Sequence, residues 1–359
     1  MNSQFNFKSE LDAFADFLPS IDSNKKYWLV RTKAGELYDT FRSNSIVALN
    51  HNEVSLSDIS AINDFAAGDP NKKHIAIKSR VLIEHEKRMQ IDSEDGIDTR
   101  RVSLISSQIY KFIYEMTKGD TVLIPSYNSD IISFGIIQES NIGNFGPDEL
   151  RKINSDAILK KRVKWIADLK RLDMDPYLFK MFTAHQAINE VGQYADVIER
   201  SIGDFFILDD EAHTIINVEN EKDIPAVDLF KMGAEILSLV DEISAYFDLD
   251  ISSKDIQVTI NLNSPGKIDL KSRIKKTTII LGLILLVAGG GYEDKAGHSF
   301  KTDGLPGIIK AIDEFMSNRH QRNTQAELVN AFKDSIKVKN PEDLIKLLKQ
   351  FDTNKDVPK

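Results

Sequence analysis

The sequence predicts an α+β protein built from two domains, and three observations predict it. At 359 residues the chain exceeds what one hydrophobic core usually serves. Short β-branched runs closed by turn residues alternate with segments whose apolar residues recur at helical spacing. Between Asp209 and Pro225 the composition turns acidic, with only Thr214-Ile215-Ile216 apolar inside it, which marks a boundary. The expected division is a domain over 1–210, an acidic linker over 211–225 and a smaller α+β domain over 226–359.

The elements follow in order. Phe7, Leu11, Phe14 and Leu18 lie on one face of an expected helix over 5–19, which Pro19 ends. Tyr27 to Arg31 and Ile46 to Leu49 read as strands, 54–66 and 103–117 as helices. The charged segment 68–101 has no assignment. Lys118-Gly119-Asp120 is a turn signal feeding the strand Thr121 to Pro125. Gly supplies a left-handed position there, and Asp can bond back to the backbone. Ile131 to Ile137 and Arg162 to Ile166 are further strands, 168–204 has a helical pattern, and Phe205 to Leu208 closes this half. The second half opens with an amphipathic helix over 226–247. Asp255 to Leu262 alternates with a period of two, Ser264-Pro265-Gly266 turns, and Ile268 to Leu270 returns, so a hairpin is expected. An uncharged run, 277–291, follows. Helices are expected over 305–316 and, as two short pieces, over 324–351.

Composition excludes several classes of function. The chain has no cysteine, which removes disulfides, thiolate metal sites and a cysteine nucleophile, and fits a reducing compartment. The first residues carry no basic-then-apolar signal, so the expected location is the cytoplasm. Net charge is −9, with 26 basic against 32 acidic residues in 1–210 and 20 against 23 beyond, so nucleic-acid contact would need a local patch. One such patch stands between Arg151 and Arg171, where Arg151, Lys152, Lys160, Lys161, Arg162, Lys164, Lys170 and Arg171 face only Asp156 and Asp168. With Trp165 inside it, that run has the composition of a phosphate-tracking groove and equally of a solvated strand face.

Trp28-Leu29-Val30-Arg31, Lys118 to Pro125, Gly135-Ile136-Ile137 and Arg162-Val163-Lys164-Trp165 occur in an order that resembles the EVE-like domain of the PUA superfamily. That domain is found at the N-terminus of Mrr-type restriction endonucleases. The resemblance covers about 25–208 and implies a twisted β-barrel with flanking helices that binds nucleic acid, in several members by holding a modified base. Where the family has a small residue followed by Trp after its second strand, this chain reads Leu49-Asn50-His51-Asn52. The ligand-binding residues the resemblance and the basic run imply are Trp28, Arg31, His51, Lys160, Lys161, Arg162, Lys164 and Trp165.

In the second half, Asp255, Asp269 and Lys271 are of the type a Mg²⁺-dependent nuclease uses, with an acid near one strand and acid-x-Lys on the next. A surface hairpin with solvated charges has the same pattern. No phosphate-binding loop, nucleophile elbow or dinucleotide fingerprint is present. The run 277–291 is apolar on every side. It is either a helix buried in a domain or oligomer core, ended by glycines, or a membrane insertion flanked by Lys275, Lys276 and Tyr292. The second option would bring the chain to the inner membrane. The functional expectation is a prokaryotic antiviral-defence type of protein. Its EVE-like module binds nucleic acid or a nucleotide and controls a homo-oligomerising C-terminal effector. The alternatives are a restriction-type endonuclease and a non-enzymatic adaptor.

Overall fold

In the computed structural model the described residues are 5–92, 98–143, 145–146, 149, 157–218, 226–261, 266–288, 292–293, 299–300, 307–319, 338–339 and 341–355. They form two compact units, Asn24–Ile198 and Met1–Ser23 together with Glu199–Lys359. The N-terminal helix α1 (Phe7–Phe17) therefore belongs with the C-terminal half, because Phe7, Leu11 and Phe14 are buried in that half's core.

The unit Asn24–Ile198 is mixed α+β around a curled, half-barrel sheet. Its elements run β1 (Tyr27–Val30), α2 (Tyr38–Ser43), β2 (Ile46–Leu49), α3 (Leu56–Ala66), α4 (Pro70–Asp92), α5 (Thr99–Tyr110), β3 (Thr121–Pro125), β4 (Ile131–Ile137), β5 (Leu159–Lys170) and β6 (Ile188–Glu190). The strand order is β2-β5-β4-β3-β1-β6, with β1 and β3 parallel and the other neighbours antiparallel. The curl has a visible cause in β5. Its first residues, Leu159 to Arg162, pair with β2, and its remainder, Val163 to Lys170, pairs with β4. One twelve-residue strand thus serves two partners and must bend between them. The register shifts at Phe134/Gly135, and a Cβ on Gly135 would lie 2.7 Å from the Trp165 ring, so glycine is what lets that indole lie on the sheet.

The Lys-Gly-Asp turn is a structural hub. Gly119 has φ +97°, and the Asp120 carboxylate accepts from Thr117 N (2.8 Å), Lys26 N (3.1 Å) and Trp28 Nε1 (2.9 Å). These bonds fasten the start of β3 to β1 and seat Trp28 in the core, where it is fully buried.

Two expectations for this unit change. The unassigned segment 68–101 contains α4, a helix of 23 residues. Asp69 starts it by accepting from Asn71 N and Lys72 N, and Pro70 suits its first turn. The helical pattern over 168–204 is instead the end of β5, the short 3-10 turns Arg171–Asp173 and Pro176–Thr183, β6 and only then the helix α6 (Ala195–Ile202). Pro176 and Gly192 interrupt an apolar spacing that would otherwise suit one helix.

The second unit carries β7 (Phe205–Leu208), β8 (Glu211–Val218), α7 (Ala226–Tyr246), β9 (Gln257–Asn261), β10 (Gly266–Ser272) and α8 (Lys275–Ala288). The short pair β11 (Tyr292–Glu293) and β12 (Ser299–Phe300), then α9 (Gly307–Arg319), β13 (Val338–Lys339) and α10 (Glu342–Lys355) complete it. The antiparallel sheet runs β13-β8-β10-β9, with β7 also on β8. Residues 211–218, expected as the start of a linker, are its central strand. Ala212, Thr214, Ile216 and Val218 alternate inward, and the Glu211 charge is met by Lys271 at 2.6 Å. The rest of the expected linker, 219–225, lies outside the described residues, as do 289–291 and the first of the two helices expected over 324–351.

Helix α8 is the centre of this unit. Thr277 through Leu286 are all buried, packed with residues of α1, α7, α9 and α10 and with the sheet. Each large apolar side chain so enclosed contributes about 1.5–3 kcal/mol of gross burial. Gly282 lets α10 come close, since a Cβ there would lie 2.4 Å from Leu344 Cδ2. Lys276 pairs with Asp12 at 2.7 Å. The uniform hydrophobicity of the run is thus satisfied inside the protein, and among the described residues no helix is long and apolar enough to cross a membrane.

Candidate nucleic-acid interface

The residues expected to bind ligand divide into an inward set and an outward set. Trp28 is fully buried and donates to Asp120. Arg31 is bound to the carbonyls of Phe182 (2.7 Å) and Ala184, holding the 3-10 turn against β1. Lys160 donates to Ala157 O, and Lys161 donates to Met116 O (2.7 Å) and Ser140 O, both amines turned into the fold. Burial outweighs the carboxylates of Glu139 and Asp120 and pushes the Lys161 ammonium down to about 8. Arg162 forks onto Glu149 at 2.9 and 3.2 Å and lies over the Phe145 ring. Trp165 is half-buried, its indole N–H toward Phe41 O and its ring beneath Arg42. His51 stands 3.8 Å from buried Glu53, and burial holds its imidazole below the usual value. Glu53 acts the other way, and Arg101 and Arg88 add to the lowering. Of the basic run Lys164 and Lys170 present themselves outward and Arg162 and Arg171 do so in part, while Arg151 and Lys152 lie outside the described residues.

A different surface of the same unit brings aromatic and basic groups together. After α5 the chain continues as a π-helical turn, Lys111–Glu115, closed by Met116 N donating to Lys111 O. Such turns occur often at functional sites, because the extra residue redirects side chains. Here Tyr110 and Tyr114 pair with ring centroids 5.4 Å apart. Lys73 Nζ sits 4.4 Å from the centre of the Tyr114 ring, and His74 meets Tyr110 edge-on at 5.3 Å. The Tyr114 hydroxyl donates to Asn63 Oδ1 at 2.9 Å. Burial raises the pKa of both phenols, helped at Tyr110 by Glu115 and at Tyr114 by Tyr110, so both hydroxyls stay protonated.

Lys73 and Tyr114 of this row line a cleft of about 520 Å³, whose apolar walls include Leu56, Ile59, Ile113 and Ile142 and whose polar groups include Asn63 and Asn141. That volume suits one nucleotide-sized ligand. Helix α4 extends the basic character beyond the cleft. Residues 70–83 hold Lys72, Lys73, Lys78 and Arg80 with no acid among them. Lys72, His74 and Lys78 are exposed, whereas Arg80 is tied to Asp58 and Glu84. The signal was present in the sequence as an acid-free basic stretch and as two tyrosines four residues apart. The partnership of α4 with the π turn was not.

The residues named for nuclease chemistry do not converge. Asp269 and Lys271 share a face of β10, opposite Thr259 and Gln257 on β9. Continuing that register puts Asp255 level with Arg273, not with Asp269. Asp269 is buried with both oxygens 3.1 Å from His213 Nδ1 and with Arg200 Nε at 3.9 Å, and Phe206 stacks on His213. Lys271 is held by Glu211. Asp255 ends an exposed 3-10 turn, Ser253–Asp255. Asp269 and Lys271 thus serve ion pairs on the polar face of the sheet. Comparisons with protein-family models, curated proteins and solved structures find no match to this chain.

Proposed function

We propose that the unit Asn24–Ile198 is an EVE-like module that binds nucleic acid or a nucleotide in the cleft beside Tyr114. In this reading its occupancy controls assembly of the second unit, in the manner of a two-part antiviral-defence protein. The observation that carries the binding reading is the pair Lys73 and Tyr114 in the wall of the cleft, with Tyr110 and His74 packed behind Tyr114. Stacking on a tyrosine is sequence-tolerant, amide groups such as Asn63 and Asn141 can meet a base edge, and Lys72, Lys73 and Lys78 suit phosphates. The curled sheet and the motif order that resembles the PUA superfamily support the module's assignment.

Fluorescence anisotropy with labelled single-stranded DNA and RNA, and competition by mononucleotides, tests this across a salt series. Base stacking is worth about 1–3 kcal/mol, so Tyr114→Ala should weaken binding roughly 5- to 150-fold. Lys72→Ala with Lys78→Ala should flatten the salt dependence, while Lys164→Ala, on the other surface, should change little. Absence of salt-sensitive binding, or binding indifferent to Tyr114→Ala, would sink the proposal.

A further inference from the structure

Two walls of the cleft beside Tyr114 lead to the same buried amine. Ile113 and Tyr114 stand on the π turn that Met116 closes, whereas Asn141 and Ile142 follow Ser140. Lys161 on β5 is fully buried, and its Nζ donates to Met116 O at 2.7 Å and to Ser140 O. One carbonyl thus comes from each wall. The second wall is a span of chain over 139–142. It is fastened to β5 at both ends, by Gln138 N on Arg162 O (2.9 Å) and by Gly143 N on Lys160 O (2.8 Å), with Lys161 between those points. Lys118 N adds an exposed bond to Ser140 Oγ at 3.2 Å. The charged groups facing the ammonium are the carboxylates of Glu139, after β4, and Asp120, before β3. The π turn presents the Phe112 ring at 5.9 Å, and β2 pairs Val47 with Lys161. An apolar side chain would fill such an interior position without the cost of burying a charge.

We propose that Lys161 is the positioning residue of the cleft: by tying Met116 to Ser140 it sets how far Tyr114 and Asn141 stand apart, and so how well a nucleotide fits. With the cleft as the ligand site, on which this role rests, Lys161 acts on the ligand from behind the lining residues. Its charge matters to the tie, because an ammonium makes charge-assisted bonds about twice as strong as those of a neutral amine. Burial, against the pull of Glu139 and Asp120, lowers Lys161 to about 8. The tie is therefore tight at pH 7 and slack at pH 9. The charged fraction falls from about nine-tenths to about one-tenth over that interval, so affinity falls by up to about tenfold. The Tyr110 and Tyr114 phenols, raised by burial, stay protonated throughout. Arginine at position 161 would remain charged across the range and keep the tie closed.

Anisotropy of the full-length protein with labelled oligodeoxyadenylate, whose bases and phosphates keep their charge from pH 7 to 9, tests this at fixed salt. The parent should lose up to about tenfold in affinity between those limits. Lys161→Met should bind at pH 7 about as weakly as the parent does at pH 9, with no further fall. Lys161→Arg should match the parent at pH 7 and hold that affinity to pH 9. Amide hydrogen exchange of the ligand-free proteins at pH 7 reads the tie without any ligand. Segments 113–116 and 139–143 should exchange faster in Lys161→Met than in the parent or Lys161→Arg, while β1 and β3 stay protected in all three. Unchanged exchange in those two segments overturns the proposal, as does DNA binding that Lys161→Met leaves as tight as the parent's. A parent that binds with a flat profile from pH 7 to 9 also overturns it, whether or not Lys161→Met folds. A parent that binds no DNA while the exchange pattern holds removes the ligand reading and leaves the tie between the walls supported.

Discussion

Replacing Asp120 by alanine should unfold the unit Asn24–Ile198 far more readily than any surface change. The carboxylate is 3% exposed and accepts from three donors: Trp28 Nε1, Lys26 N and Thr117 N. Hydrogen bonds to a charged acceptor contribute about 1.5–3 kcal/mol each, and a donor left buried without a partner costs about 1–3 kcal/mol. The indole N–H is wholly enclosed and would bear its full cost. The two amides are only partly buried, and water would replace some of their loss. The expected destabilisation is about 3–5 kcal/mol. Urea denaturation followed by tryptophan fluorescence isolates the effect, since Trp28 and Trp165 both belong to this unit. With a slope of about 2 kcal/mol per molar, the midpoint should fall by about 2 M. Asp120→Asn retains one acceptor and should fall between. A loss below about 1 kcal/mol in Asp120→Ala would refute the hub role of the Lys-Gly-Asp turn.

Two further predictions follow from buried ionisable groups. Lys161 is held at about 8 in the folded chain against 10.5 ordinarily, so the unfolded chain binds its proton more tightly. Stability should rise with pH between about 8 and 10.5, by at most about 1.4 kcal/mol per unit, and Lys161→Met should remove that slope in parallel urea titrations. Asp204 caps α10 by accepting from Glu342 N and Asp343 N, while Asp343 accepts from Asp204 N. Burial, then the Asp343 carboxylate, raises Asp204 to about 7, outweighing those amides. A raised folded value is a contribution present at low pH and lost as pH climbs from about 4 to 7. Asp204→Asn keeps a capping oxygen and should therefore gain on the order of 2 kcal/mol over the parent at pH 8, read by calorimetry of the second unit.

Elements whose signals are local were legible in the sequence. Strands Tyr27–Val30, Ile46–Leu49, Ile131–Ile137 and Phe205–Leu208, the hairpin of β9 and β10, and helices α1 and α7 all follow from periodicity and turn residues. Helix α4 was illegible because its apolar residues are few and its charges dense. The segment 168–204 misled because Leu172, Leu178 and Met181 imitate helical spacing across Pro176, and Leu172 is in fact 87% exposed. The basic run around Lys161 was visible as composition, but composition does not say which way a strand's side chains point. With β5 pairing to β2, Lys161 turns inward while Lys164, three residues on, turns out.

What the sequence determined by itself is the class of the protein, the placement of most strands, the Lys-Gly-Asp turn and the existence of one helix apolar all round. Each rests on interactions within a few residues of chain. Tertiary structure alone decided that the apolar helix is enclosed by α1, α7, α9 and α10, that the N-terminal helix joins the C-terminal half, and that Lys73 lies against Tyr114. Those are contacts between segments far apart in sequence, and their free energy depends on which surfaces the fold brings together, a quantity no local pattern contains.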